Sequence, residues 1–246
     1  MIILAELAPA AKSLLTRSKR ILTEKKTILG MNVTVLKVPI SDKIRAGQLE
    51  RIKRRTHNKL AELCANTVFI RNDFPYPEWF EGYRKPDGAG LVRRLSDRLA
   101  VNSSDRHYGV YVYLKRPDSE CVNILRKLCE QFRFIYLSVK NGEADVIADG
   151  LMKTCGVSIV TVSDRIPEAD AAVFLHEPDE MPILNEKCVC ISAEKSEVSI
   201  SLSDGREAEI PDGYSRKALI AHALLHGYVR LEDIRNISLK NSLDIG

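Results

Sequence analysis

HYGVYVYLKRPDSECVNILRKLCEQFRFIYLSVKNGEADVIADGLMKTCGVSIVTVS, residues 107–163, decides the fold of this chain. It reads as strand, helix, strand, helix, strand. YGVYVYL, RFIYLSVK and GVSIVTVS are short apolar runs rich in β-branched and aromatic residues. The two stretches between them, RPDSECVNILRKLCEQF and GEADVIADGLMKTC, space their apolar residues at helical intervals. Apolar strands joined by crossover helices predict a parallel sheet.

Working outward, DAAVFLHEPD supplies a fourth strand at Ala171–Leu175, and KCVCIS a fifth at Lys187–Ser192. EVSISLSDGREAEI alternates about Asp204-Gly205 and predicts a β-hairpin. Ser215–Leu225 reads as a helix capped by Ser215 and closed by Gly227, with a short helix expected at Leu231–Asn236.

Towards the N-terminus, residues 8–27 predict a helix with a basic face, and MNVTVLKVPI a strand ended by Pro39. A helix over Lys43–Ala65 carries Ile44, Leu49, Ile52, Leu60, Leu63 and Cys64 on one side, with Arg51, Lys53, Arg54, Arg55 and Lys59 on the remainder. TVFI follows as a strand. Arg71–Gly90 then holds three prolines and five aromatics, including Trp79, the single tryptophan. Such a segment is either a binding lid or a loop whose rings pack on the core. A helix is expected over Ala89–Val101, with Leu91, Leu95 and Leu99 on one face. Polar residues from Asn102 to Arg106 suggest a domain boundary. The expected architecture is α/β: a parallel sheet with a β-hairpin in residues 106–246, and a smaller basic α/β portion in residues 1–105.

With 246 residues, 45% of them apolar, the chain can bury a core without covalent staples. Net charge is +4, yet through Arg55 basic residues outnumber acidic ones by about three to one. Six scattered cysteines contain no CxxC pair, which argues against zinc-ribbon and thioredoxin-type sites and suits a reducing cytoplasm. Glu6 interrupts the N-terminal apolar run, against a signal peptide, and no run approaches the roughly 20 residues that span a bilayer.

The element order over residues 107–192 resembles the Rossmann-like nucleotide-binding superfamily. That resemblance implies a ligand beyond the carboxyl ends of the strands. It also implies a glycine fingerprint at the first strand–helix turn, and here the turn reads Lys115-Arg116-Pro117-Asp118-Ser119-Glu120, without glycine. Lys140 and Asn141 stand where a ribose-binding acid would end the second strand. A lysine there could accommodate a 2′-phosphate, so NADP is contradicted less than NAD.

The strand ends gather Lys115, Arg116, Lys140 and Asn141 as candidates for a small anionic ligand, with Trp79 contributing from the aromatic loop. His176, oriented by Asp164, is the candidate general base. His222 and His226 share a helix face at metal-ligand spacing, but Ala223 holds the position of the HExxH glutamate, which excludes that zinc-hydrolase chemistry. Three functions fit these residues: a binding or regulatory module without the dinucleotide fingerprint, an NADP-dependent oxidoreductase with an atypical phosphate loop, and a nucleic-acid binder using the basic N-terminal helices. The ligand site is expected in the cleft between the two portions, beneath Phe74–Tyr83, no membrane is involved, and a homo-oligomer is compatible with all three.

Overall fold

The computed structural model describes residues 1–8, 20–40, 44–140, 144–162 and 168–240. Asn141, Ser163 and Asp164 lie outside the described residues, as does most of the helix expected over 8–27. The chain forms two compact units, Met1–Asp87 with Asp204–Asp233, and Gly88–Ser203 with Ile234–Gly246. The polar stretch Asn102–Arg106 therefore falls inside the second unit, and the first unit reclaims a segment from the C-terminal half.

The first unit is built on four strands, β1 (Ile2–Leu7), β2 (Leu22–Ile28), β3 (Met31–Val38) and β4 (Thr67–Ile70). Their order is β2-β3-β1-β4. β1 runs parallel to both β3 and β4, while β2 pairs antiparallel with β3. The β2–β3 turn has two residues, Leu29 and Gly30, both with positive φ, so its handedness matches the strand twist. Helix α1 (Ala46–Glu62) connects β3 to β4 and buries Ile52, Thr56 and Leu60 at intervals of four.

Phe74, Trp79 and Phe80 join Ile3, Leu36, Val38 and Val68 in one core cluster. The aromatic loop is thus core structure, tied to β4 by a Val68 N–H bond to the Arg84 carbonyl at 2.9 Å. Helix α6 (Arg216–Leu225) belongs to this unit. Ser215 caps it by accepting the Ala218 N–H at 3.3 Å, and Gly227 follows with φ +75°.

The second unit carries β5 (Gly109–Leu114), α4 (Ser119–Gln131), β6 (Phe134–Val139), α5 (Ala144–Cys155), β7 (Ser158–Thr161), β8 (Ala171–Phe174) and β9 (Val189–Ser192). The sheet order is β7-β6-β5-β8-β9, and every neighbouring pair is parallel. The first strand is central and the chain winds outward from it in both directions, as in a Rossmann-like sheet. All six residues of β5 are buried, as expected of a strand covered on both faces. One face holds Tyr111, Tyr113, Tyr136, Ala172, Phe174 and Cys190. Among the described residues no helix separates β7 from β8 or β8 from β9.

Four local expectations are corrected. Residues 22–28 are strand, not helix; β2 is an edge strand with all but Ile28 exposed, and Glu24 bridges to Lys37 on β3 at 2.7 Å. Charged side chains on such an edge discourage further pairing. The helix expected over Ala89–Val101 is two helices, α2 (Ala89–Arg94) and α3 (Ser96–Ser103), broken at Leu95, where φ is −107° and ψ 8°. Leu91, Leu95 and Leu99 are nonetheless all buried.

The alternating run after Ser196 does not fold back on itself. β10 (Val198–Leu202) pairs antiparallel with β11 (Ile234–Leu239), some thirty residues later. Asp204 accepts the Arg206 N–H at 3.1 Å and Gly205 adopts φ +71°, so the turn exists but starts the 3₁₀ turn Arg206–Glu209. The helix expected at Leu231–Asn236 is a single 3₁₀ turn, Leu231–Asp233, running directly into β11. No helix among the described residues is long and apolar enough to cross a membrane.

Candidate functional site

The winding of the second unit reverses between β5 and β8: the chain leaves β5 towards β6 on one side and β8 towards β9 on the other. Loops diverge beyond such a point and leave a crevice at the carboxyl ends of the strands. The sheet ladder runs one residue past the strands here. Lys140 N–H reaches the Leu114 carbonyl and Leu175 N–H the Tyr113 carbonyl, both at 3.1 Å. These bonds fix the backbones of the first residues beyond β6 and β8.

Lys115 leaves β5, Lys140 leaves β6, and both ammonium groups meet the carboxylate of Asp179. Lys115 Nζ lies 3.2 Å from Oδ1, and Lys140 Nζ bonds to Oδ2. Lys140 and then Lys115 hold the Asp179 carboxyl below the usual aspartate range. Arg116, the residue after Lys115, is exposed and makes no side-chain ion pair among the described residues.

His176 follows β8. The Lys115 backbone N–H donates to its Nδ1 at 3.4 Å, which places the ring proton on Nε2. Partial burial, then the positive charge of Arg93, pushes the imidazole pKa down, so the neutral ring is favoured. The next residue, Glu177, is bound by Lys195 Nζ at 2.8 Å and by the Ser192 hydroxyl. Ser192 Oγ in turn accepts the Lys195 N–H at 3.0 Å. This knot at the end of β9 anchors the chain leaving β8.

The N-terminus of α4 is where a Rossmann-like site would receive a phosphate. Here it is filled from within. Asp118 Oδ1 accepts the Cys121 N–H at 2.7 Å, and Oδ2 pairs with Arg93 of α2. Glu120 takes Arg94 at 2.8 Å. Burial opposes ionisation of Asp118, but the Cys121 N–H and Arg93 together hold its carboxyl below the ordinary value. Arg93 also lies 2.8 Å from the Cys121 sulfur. That thiol is fully buried, and burial raises its pKa despite the guanidinium, so it is no ready nucleophile.

The row expected at the strand ends is thus partly assembled. Lys115, Lys140 and His176 stand together at the carboxyl ends, with Arg116 following Lys115 in the chain, whereas Asn141 and Asp164 lie outside the described residues. Trp79 sits in the first unit, 4% exposed, its ring stacked on Tyr76 at 4.9 Å. His222 and His226 are also in the first unit. Their rings lie 4.4 Å apart, and buried His222 meets the Phe69 ring edge-on at 5.5 Å. No group of three or more His, Cys, Asp or Glu residues suited to a metal occurs among the described residues.

Asp179 and Arg93 were not foreseen from sequence. The acid-rich stretch directly after an apolar strand, His176-Glu177-Pro178-Asp179-Glu180, is the only signal that could have pointed to the first. Arg93 carried none, because a basic residue on a short helix ordinarily reads as solvated surface.

No protein-family profile matches the chain, and no curated protein sequence matches it. Among solved structures, it is similar to a proposed aspartate carbamoyltransferase from Trypanosoma cruzi, with 12% identity and a TM-score of 0.25, over 76% of this chain and 71% of that one. A proposed aspartate carbamoyltransferase from Leishmania major Friedlin gives 12% and 0.27, over 70% of this chain and 59% of that one. The L-tryptophan dehydrogenase of Nostoc punctiforme gives 14% and 0.25, over 59% and 44%. The chain therefore spans less than two thirds of the latter two. At such TM-scores these likenesses bear no weight in assigning a function.

Proposed function

We propose that the second unit is a binding or regulatory module that takes a small anionic ligand beyond the carboxyl ends of β5, β6 and β8. The observation that carries this reading is the convergence of Lys115 and Lys140, from adjacent strand ends, on a single point. Arg116 adds a third cation, and the Nε2–H of His176 a neutral donor. Occupation of the α4 N-terminus by Asp118 and Glu120 speaks against a dinucleotide, whose pyrophosphate needs that position. Six free thiols are in keeping with a reducing compartment such as the cytoplasm.

Titrating the ¹⁵N-labelled chain with phosphate, sulfate and citrate, and separately with NADP, tests this. Backbone shifts at Lys115, Lys140 and His176 with the simple anions are expected, and their loss in K115A/K140A. Silence from every simple anion at millimolar concentration overturns the reading. Tight NADP binding would favour the oxidoreductase alternative, with Lys140 as partner of the 2′-phosphate.

A further inference from the structure

We infer that Asp179 is a tethered stand-in for the ligand's own anionic group, and that this group is a phosphoryl dianion. The inference rests on the anion-site reading above and names its ligand class and its internal competitor.

An ordinary surface ion pair joins one acid to one base. Here one carboxylate is divided between two lysines of different strands, Oδ1 to Lys115 and Oδ2 to Lys140. Its position is built rather than incidental. Glu177, two residues earlier, is held by Lys195 and Ser192, and Pro178 between them fixes its own φ. The anchor and the proline deliver Asp179 to the two ammonium groups, while its side chain stays 58% exposed, with solvent on its open side.

Charge and geometry select the group that would replace it. Two ammoniums facing one carboxylate leave one positive charge unneutralised. A phosphoryl dianion matches both lysines, where a monocarboxylate repeats the deficit that Asp179 already leaves. Lysines act as compact point charges with rotatable donors and suit a tetrahedral group, whereas a planar carboxylate is better matched by the guanidinium fork. Inorganic phosphate and a phosphomonoester share this chemistry, so the free ion is an adequate probe.

The test uses the full chain, titrated with inorganic phosphate and followed by backbone amide shifts in wild type, D179N and E180Q. Glu180 is exposed and adjacent, so E180Q removes the same charge without touching the lysine clamp. D179N is expected to bind phosphate about three- to tenfold more tightly than wild type, since the internal competitor for two exposed ion pairs is gone. E180Q is expected to match wild type. Equal affinity in D179N and wild type, or an equal gain in E180Q, overturns the stand-in role while leaving the anion site intact. A glycerol phosphate that binds no better than acetate overturns the phosphoryl assignment. Absence of binding in all three proteins fails the anion-site reading itself.

Discussion

The backbone N–H of Lys115 donates to Nδ1 of His176, joining the first residue beyond β5 to the second beyond β8. The bond exists only while the ring is neutral, because a protonated imidazole has no acceptor. Burial and Arg93 both lower its pKa. The ring therefore stays neutral in the folded chain at pH values where the unfolded chain already takes up a proton. Its contribution to stability is complete above the ordinary value near 6.5 and declines as pH falls through the lowered folded value. Long-range ¹H–¹⁵N spectra should show the Nε2–H tautomer at neutral pH and a titration midpoint below about 6.5. A midpoint at or above that value would mean the bond is not made.

His222 gives the first unit a larger acid sensitivity. Burial, then the nearby His226, depresses its pKa to about 4. Stability should hold above pH ~6.5 and fall progressively towards the folded pKa, by on the order of 3 kcal/mol in total. Trp79 is the only tryptophan and lies in the same unit, so its fluorescence reports unfolding there. Between neutral pH and about 4.5, the urea midpoint of wild type should drop further than that of H222F. An identical drop in both would place the sensitivity elsewhere.

Asp118 both caps α4 and neutralises Arg93. D118A should lose about 1 kcal/mol for the cap, and more for the guanidinium left with the longer 3.7 Å contact to the Glu120 carboxylate. D118N keeps an oxygen for the Cys121 N–H and should recover the cap alone. Thermal unfolding followed by circular dichroism should rank wild type above D118N and D118N above D118A. Equal losses in the two variants would show that the cap contributes nothing.

Gly109 opens β5 where the sheet tolerates no side chain. A Cβ there would stand 2.8 Å from Cε2 of Tyr136 and 3.3 Å from the Glu168 carbonyl. G109A should cost about 1–3 kcal/mol through overpacking. Trimming the ring should relieve part of this, so G109A/Y136L is expected to be less destabilised than the sum of its single changes. Strict additivity would argue against this packing of β5 on β6.

Much of the second unit could be read from its residues because buried parallel strands are continuous apolar runs. Tyr108–Leu114 and Phe134–Val139 admit little else once helices separate them. β1 was not legible: MIILAEL is short, and its partners β3 and β4 are remote in sequence. β2 misled because LTEKKTI lies on an exposed edge, where solvation rather than burial sets the pattern and helical spacing arises by chance. At Asp204-Gly205 local chemistry was read correctly, but a turn fixes only its own geometry and cannot name the partner of the strand before it. The strand-end cations were legible once the sheet was parallel. Asp179 and Arg93 were not, since each owes its role to a contact between segments far apart in the chain.

The excursion of residues 204–233 has a bearing on how the protein is made. On the ribosome, the first body waits for α6 until well over two hundred residues have been translated, and β10 waits equally long for β11. Gene fragments cut near residue 105 would give one product missing a core helix and another burdened with it. Either body could be produced alone only by splicing together two stretches that nature encodes apart.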